Sequence, residues 1–280
     1  MFSEWLPDVP TDYLFSFFLM YSVFGWICEE IWCTIAFKKV VKRGMLHGPI
    51  CPIYGFGALS IWFFLYPFRN MWIPLFFASM LVTSLLEYFT SWLLEKLFHA
   101  KWWDYSEEKF NLNGRVCLLN SFAFGIGGLA FWHLLHPFFE QFLYKEIFAP
   151  YIPLVARILS AILSVDIIVT VRKLVDFTAT MEKFKAYGEQ LKERFDGEEW
   201  FQNQSFRAML ESIKNRANVD KKNFSSHFLE SLEKYEQKQK SVEYWFKKFP
   251  TMTSKSYSKQ IEHFRSYIQQ KSKKNDKTLD

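Results

Sequence analysis

Five stretches of the chain are apolar for long enough to cross a lipid bilayer, and that feature limits the fold more than any other. A hydrocarbon core of about 30 Å takes roughly 20 residues of helix. The stretches run from Tyr13 to Phe37, Pro52 to Phe68, Trp72 to Leu94, Cys117 to Phe139 and Tyr151 to Val171. Peptide groups find no water in that core, so segments of this kind bond internally as helices. The predicted fold class is all-α: a polytopic membrane helix bundle of about five spans, with a helical tail. The second stretch is the shortest and opens on Pro52, Gly55 and Gly57. Such a start predicts a broken or partly re-entrant entry, tolerable only where protein or water satisfies the backbone.

Charge divides the chain at the end of the fifth stretch. Of 34 Lys and Arg residues, 11 lie in 1–171 and 23 in the last 109 residues, while the acids divide 13 and 16. Two domains are predicted: 1–171 in the membrane and 172–280 as a basic cytosolic tail. Loop basic residues favour the cytoplasmic face. Counted from the N-terminus they alternate 0, 4 (Lys38, Lys39, Lys42, Arg43), 1 (Arg69), 4 (Lys96, Lys101, Lys109, Arg115), 1 (Lys145), then 23 in the tail. The N-terminus is therefore expected outside and the tail inside, with Arg157 the one awkward residue. Met1 to Tyr13 carries no Lys or Arg, so the first stretch lacks the positive flank of a secretory signal and is expected to remain in the mature protein. Cys28, Cys33, Cys51 and Cys117 are expected as reduced thiols in or beside the cytosolic half.

The tail has helical periodicity. Leu174, Phe177, Met181, Phe184, Gly188, Leu191 and Phe195 are spaced by three and four residues, with no proline separating them from the fifth span. That is a heptad seam. A second seam follows Phe228, Leu232, Tyr235, Gln239, Val242, Phe246 and Phe249, with weaker helices expected over 200–215 and 255–270. A small antiparallel bundle and a coiled-coil stalk both fit. The basic faces suit anionic lipid headgroups. No recognition motif supports nucleic-acid binding.

Charges inside a bilayer cost a few kcal/mol each and mark a partner or a function. Glu29 and Glu30 in the first stretch lie roughly 12 Å from its inner end at 1.5 Å per residue. Glu87 in the third and Asp166 in the fifth lie at similar or shallower depth on the same half. The flanking loops are unusual. One runs Lys42-Arg43-Gly44-Met45-Leu46-His47-Gly48-Pro49-Ile50-Cys51-Pro52-Ile53-Tyr54-Gly55-Phe56-Gly57; the other contains Trp102-Trp103-Asp104-Tyr105 and Asn111-Leu112-Asn113-Gly114-Arg115-Val116-Cys117. Each sets an Arg beside a Gly just before an apolar helix, which suits either an anion or a buried carboxylate. Ser22, Gly25, Glu29 and Trp32, and Thr83, Glu87 and Thr90 or Ser91, form polar stripes at helical spacing. These stripes are either packing faces, with the acids neutralised or paired with Arg43 and Arg115, or the walls of a polar cavity open to the cytosol. Glu30 projects about 100° from Glu29 and belongs to another face. His47, Cys51 and Cys117 lack the paired spacing of a zinc site, and no phosphate-binding loop follows the glycines. No metal or cofactor is expected. Gly125, Gly127 and Gly128 mark a place where another helix can approach closely.

At these loops the chain resembles the bacterial ABC-transporter type IV family, also called CmpB-like. The resemblance rests on Tyr21-Ser22, Gly25-Trp26 and Glu29, on Arg43-Gly44, Gly48-Pro49 and Cys51 to Gly57, and on Trp103-Asp104-Tyr105 with Asn111 to Cys117. It covers roughly Tyr13 to Val171 and leaves the tail aside; it implies that His47 and Glu87 belong to the family's polar set. A permease of this kind would take its ATPase from a separate chain and work as a homo-oligomer or with a partner subunit. The candidate substrate-binding residues are Glu29, Arg43, His47, Tyr54, Glu87, Trp103, Asp104, Asn111, Asn113 and Arg115. Two other readings stay open: a membrane enzyme acting on a phosphorylated lipid headgroup, and a signalling or scaffold protein acting through its tail.

Overall fold

A computed structural model describes residues 9–37, 43–195, 242–262, 264–266 and 268. Lys38, Lys39 and Lys42, most of the second heptad seam and the weaker helix expected over 200–215 lie outside the described residues. Among the described residues the fold is all-α apart from one two-stranded ribbon and an isolated bridge. Its elements are α1 (Thr11–Phe37), α2 (Pro52–Leu65), α3 (Trp72–Phe98), β1 (Asn111–Leu112), β2 (Val116–Cys117), α4 (Leu118–Ala130), α5 (His136–Leu143) and α6 (Ile152–Phe195). A π-helical segment, Phe131–Leu135, joins α4 to α5.

Among the described residues four helices are long and apolar enough to cross a membrane: Thr11–Ile35, Trp72–Phe98, Leu118–Leu143 and Ala149–Ala186. The second apolar stretch is shorter, a helix and a 3-10 turn over Pro52–Phe68. The reason lies in the loop before it. Cys51 donates its backbone N–H to the Ser22 carbonyl at 3.1 Å, so α2 begins beside the middle of α1 rather than at its end. Pro52 sits in the first turn of α2, where its missing N–H has no helical acceptor to lose.

Contacts divide the chain into two compact units: one of residues 1–94 and 103–172, the other of 95–102 and 173–280. In the first unit the usual polarity of a protein is inverted. Ile73, Phe77, Leu81 and Leu85, one stripe of α3, are 61–72% exposed, while Ser22, Ser79, Glu87 and Ser91 are buried. An outward apolar stripe with inward small and polar residues is the pattern expected of a helix surrounded by lipid. The interior of this unit is aromatic, with Phe17, Tyr21, Trp62, Phe131, Trp132 and Phe139 packed in one cluster.

In the second unit Trp102 is buried against Phe177, Trp245 and Phe249, with ring centroids 5.2–5.7 Å apart. Leu174, Phe177, Met181 and Phe184 of the first predicted seam are all buried, as are Val242, Phe246 and Phe249 of the second. Phe184 and Phe246 both stack on Phe264. A short bridge of Lys101 with Thr253 and a bond from Ser254 Oγ to the His99 carbonyl complete this unit.

Gly25, Gly55, Gly125 and Gly128 permit close helix approach in the first unit. A Cβ on Gly25 would stand 2.2 Å from Tyr54 Cγ, and one on Gly128 would stand 2.1 Å from Ser79 Oγ; Gly127 faces open space. Gly25→Ala and Gly128→Ala should each destabilise the protein by about 2 kcal/mol, because neither helix can retreat without losing its packing. Gly127→Ala should leave stability unchanged or raise it by up to about 1 kcal/mol. Thermal unfolding in detergent micelles checks this, and equal effects at all three positions would contradict it.

Candidate functional site

The candidate residues fall into three neighbouring groups, all within the first unit. The first is a carboxylate cluster. Glu29 on α1 accepts a bond from the Cys51 thiol at 3.6 Å and also interacts with the Tyr54 hydroxyl. Tyr54 reaches it because the re-entrant loop starts α2 beside Ser22 and because Gly25 lets the tyrosine ring lie on the α1 backbone. Glu87, buried on α3, accepts a bond from the Tyr105 hydroxyl at 3.3 Å through Oε1. Its other oxygen, Oε2, is buried and has no hydrogen-bond partner. Glu29 and Glu87 are close enough to interact electrostatically, and Tyr54 and Tyr105 interact with both acids. Each loop thus delivers one tyrosine to one acid, Glu29 half-buried and Glu87 buried. Burial, then the Glu87 carboxylate, push the Tyr105 hydroxyl above its ordinary range, which keeps it a protonated donor.

The second group surrounds Arg115. Its guanidinium lies 5.5 Å from the centroid of the Tyr88 ring and donates to Ser91 Oγ at 3.2 Å, and its carbonyl accepts from Trp103 Nε1 at 3.0 Å. Asn113 adopts a left-handed backbone (φ 55°), a conformation asparagine tolerates, and donates its amide to the Tyr88 hydroxyl at 2.9 Å. Asn111 shapes the loop: its amide nitrogen donates to the Ser106 and Glu108 carbonyls, and its oxygen accepts from Gly114 N. Asp104 accepts from Ser106 N and Oγ at the turn before it.

Arg43 lies on the other loop. Its backbone N–H donates to the Glu30 carboxylate, its Nε contacts Cys33 Sγ at 3.1 Å, and its charge is felt at Glu29. Glu30 therefore serves a different face from Glu29. His47, in the first loop, belongs to the third group, which is built around Asp166 on α6. Asp166 accepts from the backbone N–H groups of His47 and Gly48 at 2.8–3.1 Å, pairs with His47 Nδ1 at 2.9 Å and accepts from Thr170 at 3.2 Å. His47 and Cys51 thus face different acids, and among the described residues no group of three His, Cys, Asp or Glu is placed to hold a metal ion. The structure brings Glu29, Tyr54 and Glu87 together. It sets Arg115, Asn113 and Trp103 in a second group and joins His47 to Asp166.

Three contributors escaped the sequence reading: Cys51 as a donor to Glu29, Tyr88 as the platform for Arg115 and Asn113, and Tyr105 as the partner of Glu87. Tyr105 stands in the motif Trp103-Asp104-Tyr105, so its position was visible in the sequence, but nothing there indicated which helix its hydroxyl would meet.

Apolar membrane-length helices around buried polar side chains define an integral membrane protein. The family model described as putative ABC-transporter type IV matches residues 16–171, and the chain belongs to that family. Membership and the apolar helices together fit a membrane transporter component. No curated protein and no solved structure matches the chain.

Asp166 fastens the re-entrant loop through two backbone N–H groups and a histidine. Asp166→Asn replaces an acceptor with a donor facing those groups and should cost about 2 kcal/mol of local stability. Hydrogen exchange should then accelerate over 44–50 and remain unchanged in α4. Unchanged protection of the loop would show that Asp166 does not hold it.

Proposed function

We propose that this chain is a permease subunit whose carboxylate cluster, Glu29 and Glu87 with Tyr54 and Tyr105, takes up a proton or a small cation from the cytosolic side. The observation that supports this most directly is Glu87 Oε2, an acceptor buried without a partner close to a second carboxylate. An unsatisfied buried acceptor costs about 1–3 kcal/mol. Two neighbouring carboxylates in a low-dielectric surrounding repel each other unless a positive charge or a proton joins them. A site stabilised by taking up a cation and left with uncompensated carboxylate repulsion on release suits coupling to transport. Tyr54 and Tyr105 act as neutral donors that hold the two carboxylates in place.

The positive-inside pattern of the loops supports placing the cluster on the cytoplasmic half of a bacterial plasma membrane, with the tail in the cytoplasm. The tail, by this reading, carries helical contacts for a partner. Four helices of spanning length among the described residues are few for a complete pathway, which favours a homo-oligomer or a companion subunit, with any ATPase on another chain. Arg43 supplies positive charge that is felt at Glu29.

Charge neutralisation tests this reading. In proteoliposomes carrying a pH-sensitive dye, Glu87→Gln and Glu29→Gln should each cut proton or monovalent-cation flux at least about tenfold, while insertion and thermal stability are retained. The glutamine keeps the size and removes the charge that the site needs. Flux at the level of the unsubstituted protein in both variants would remove the carboxylates from the mechanism. Loss of folding in both would make them structural.

A further inference from the structure

The same unit holds a second concavity that the carboxylate cluster does not use. It has a volume of about 300 Å³ and is lined by Trp62, Tyr66, Arg69, Trp132, His136, Glu140 and Tyr144 together with Val9 and Pro137. That volume lies at the lower end of the roughly 300–1,000 Å³ typical of small-molecule sites.

The chain deviates from regular helix at this wall. Pro137 has no N–H to bond the carbonyl one turn back, and the segment before it, Phe131–Leu135, is π-helical. Such bulges often sit at functional sites. Here the wider turn precedes His136 in an aromatic surround, with the Trp62 ring 4.4 Å, Phe131 5.3 Å and Trp132 5.4 Å away between centroids. Tyr21 and His136 Nδ1 share a hydrogen bond of 2.6 Å, which occupies one ring nitrogen and leaves the other. Trp132 is 8% exposed, and its indole N–H is buried with no hydrogen-bond partner. Buried indole donors usually have one. The Arg69 guanidinium carbon lies over the Tyr66 ring, 4.0 Å from its centroid, and Nη1 donates to the Tyr66 carbonyl. Among the described residues neither Arg69 nor Glu140 has an ion-pair partner.

Aromatic faces beside a carboxylate attract an organic cation. A guanidinium with donors to spare attracts a carboxylate or phosphate. A ligand of one sign would satisfy one rim charge and be repelled by the other. We propose that this cavity binds a small zwitterion, with its ammonium group beside Glu140 and the aromatic lining at Trp62, and its anionic group at Arg69 and the Trp132 indole N–H. Zwitterions of that chemistry occur as free solutes and as phospholipid headgroups. The site stands independently of the carboxylate cluster and of the transport reading.

Tryptophan fluorescence and calorimetry on the full chain in phosphatidylglycerol nanodiscs test it with three isosteric probes. These are trimethylglycine, choline with the cation alone, and 3,3-dimethylbutyrate with the anion alone. Trimethylglycine should bind saturably and at least about tenfold more tightly than either single-charge probe, a tenfold step being 1.4 kcal/mol. Arg69→Gln should erase its advantage over choline, and Glu140→Gln its advantage over 3,3-dimethylbutyrate. A purely structural role for these residues would not produce opposite changes in selectivity. Repeating the titration with phosphatidylethanolamine in the disc separates the sources. Competition assigns the site to a lipid headgroup, and its absence assigns it to a free solute. No saturable trimethylglycine binding in either disc, or selectivity unchanged in both variants, overturns the proposal.

Discussion

The ring of Tyr54 rests on the α1 backbone at Gly25, and the position of the carboxylate cluster follows from that contact. A side chain at Gly25 would hold α2 away from α1. The bond from Cys51 to the Ser22 carbonyl would then lengthen, and neither Cys51 nor Tyr54 would reach Glu29. Gly25 on α1 and Gly55 on α2 together let the start of α2 lie against α1.

Entry of loops into a lipid-surrounded protein carries a heavy backbone cost unless every peptide group finds a partner. The two loops solve this differently. The first has its N–H groups collected by side-chain carboxylates, Asp166 at His47 and Gly48 and Glu30 at Arg43. The second folds on itself as a short β-ribbon, closed by Asn111 and Gly114. Both then start a helix at a cysteine, Cys51 and Cys117. Acids that would be expensive as isolated charges in a span are thus used as acceptors, and Glu87 Oε2 stands out because it is not.

The first unit consequently has two polar regions with different chemistry. Around Glu29 and Glu87 the side chains are acids and tyrosine hydroxyls, suited to protons and small cations. Around His136 they are aromatic faces with one fixed charge of each sign at the rim, suited to an organic ligand. Helix α1 contributes to both, through Glu29 and through Tyr21, which is bonded to His136.

Much of the fold was legible because the membrane imposes a length and a composition that any helix crossing it must meet. The all-α class, the apolar stretches and the family motifs are all visible in linear sequence; of the five stretches read there, four are helices of spanning length among the described residues, and the one over Pro52–Phe68 is shorter. The helical spacing of Leu174 to Phe184 likewise marked a buried seam. Pairing was not legible. Glu29, Glu87 and Asp166 look alike in sequence, each an acid in an apolar stretch, yet they meet Cys51 and Tyr54, Tyr105, and His47 with Thr170 respectively. Arg43 and Arg115 read as natural partners for the acids, but the geometry also gives them Cys33, Tyr88 and Ser91. Hydrophobic periodicity records which face of a helix meets lipid, because that depends on each residue alone. Which polar groups meet depends on how far each loop folds back and on where glycine lets two backbones touch, and those distances exist only in the assembled tertiary structure.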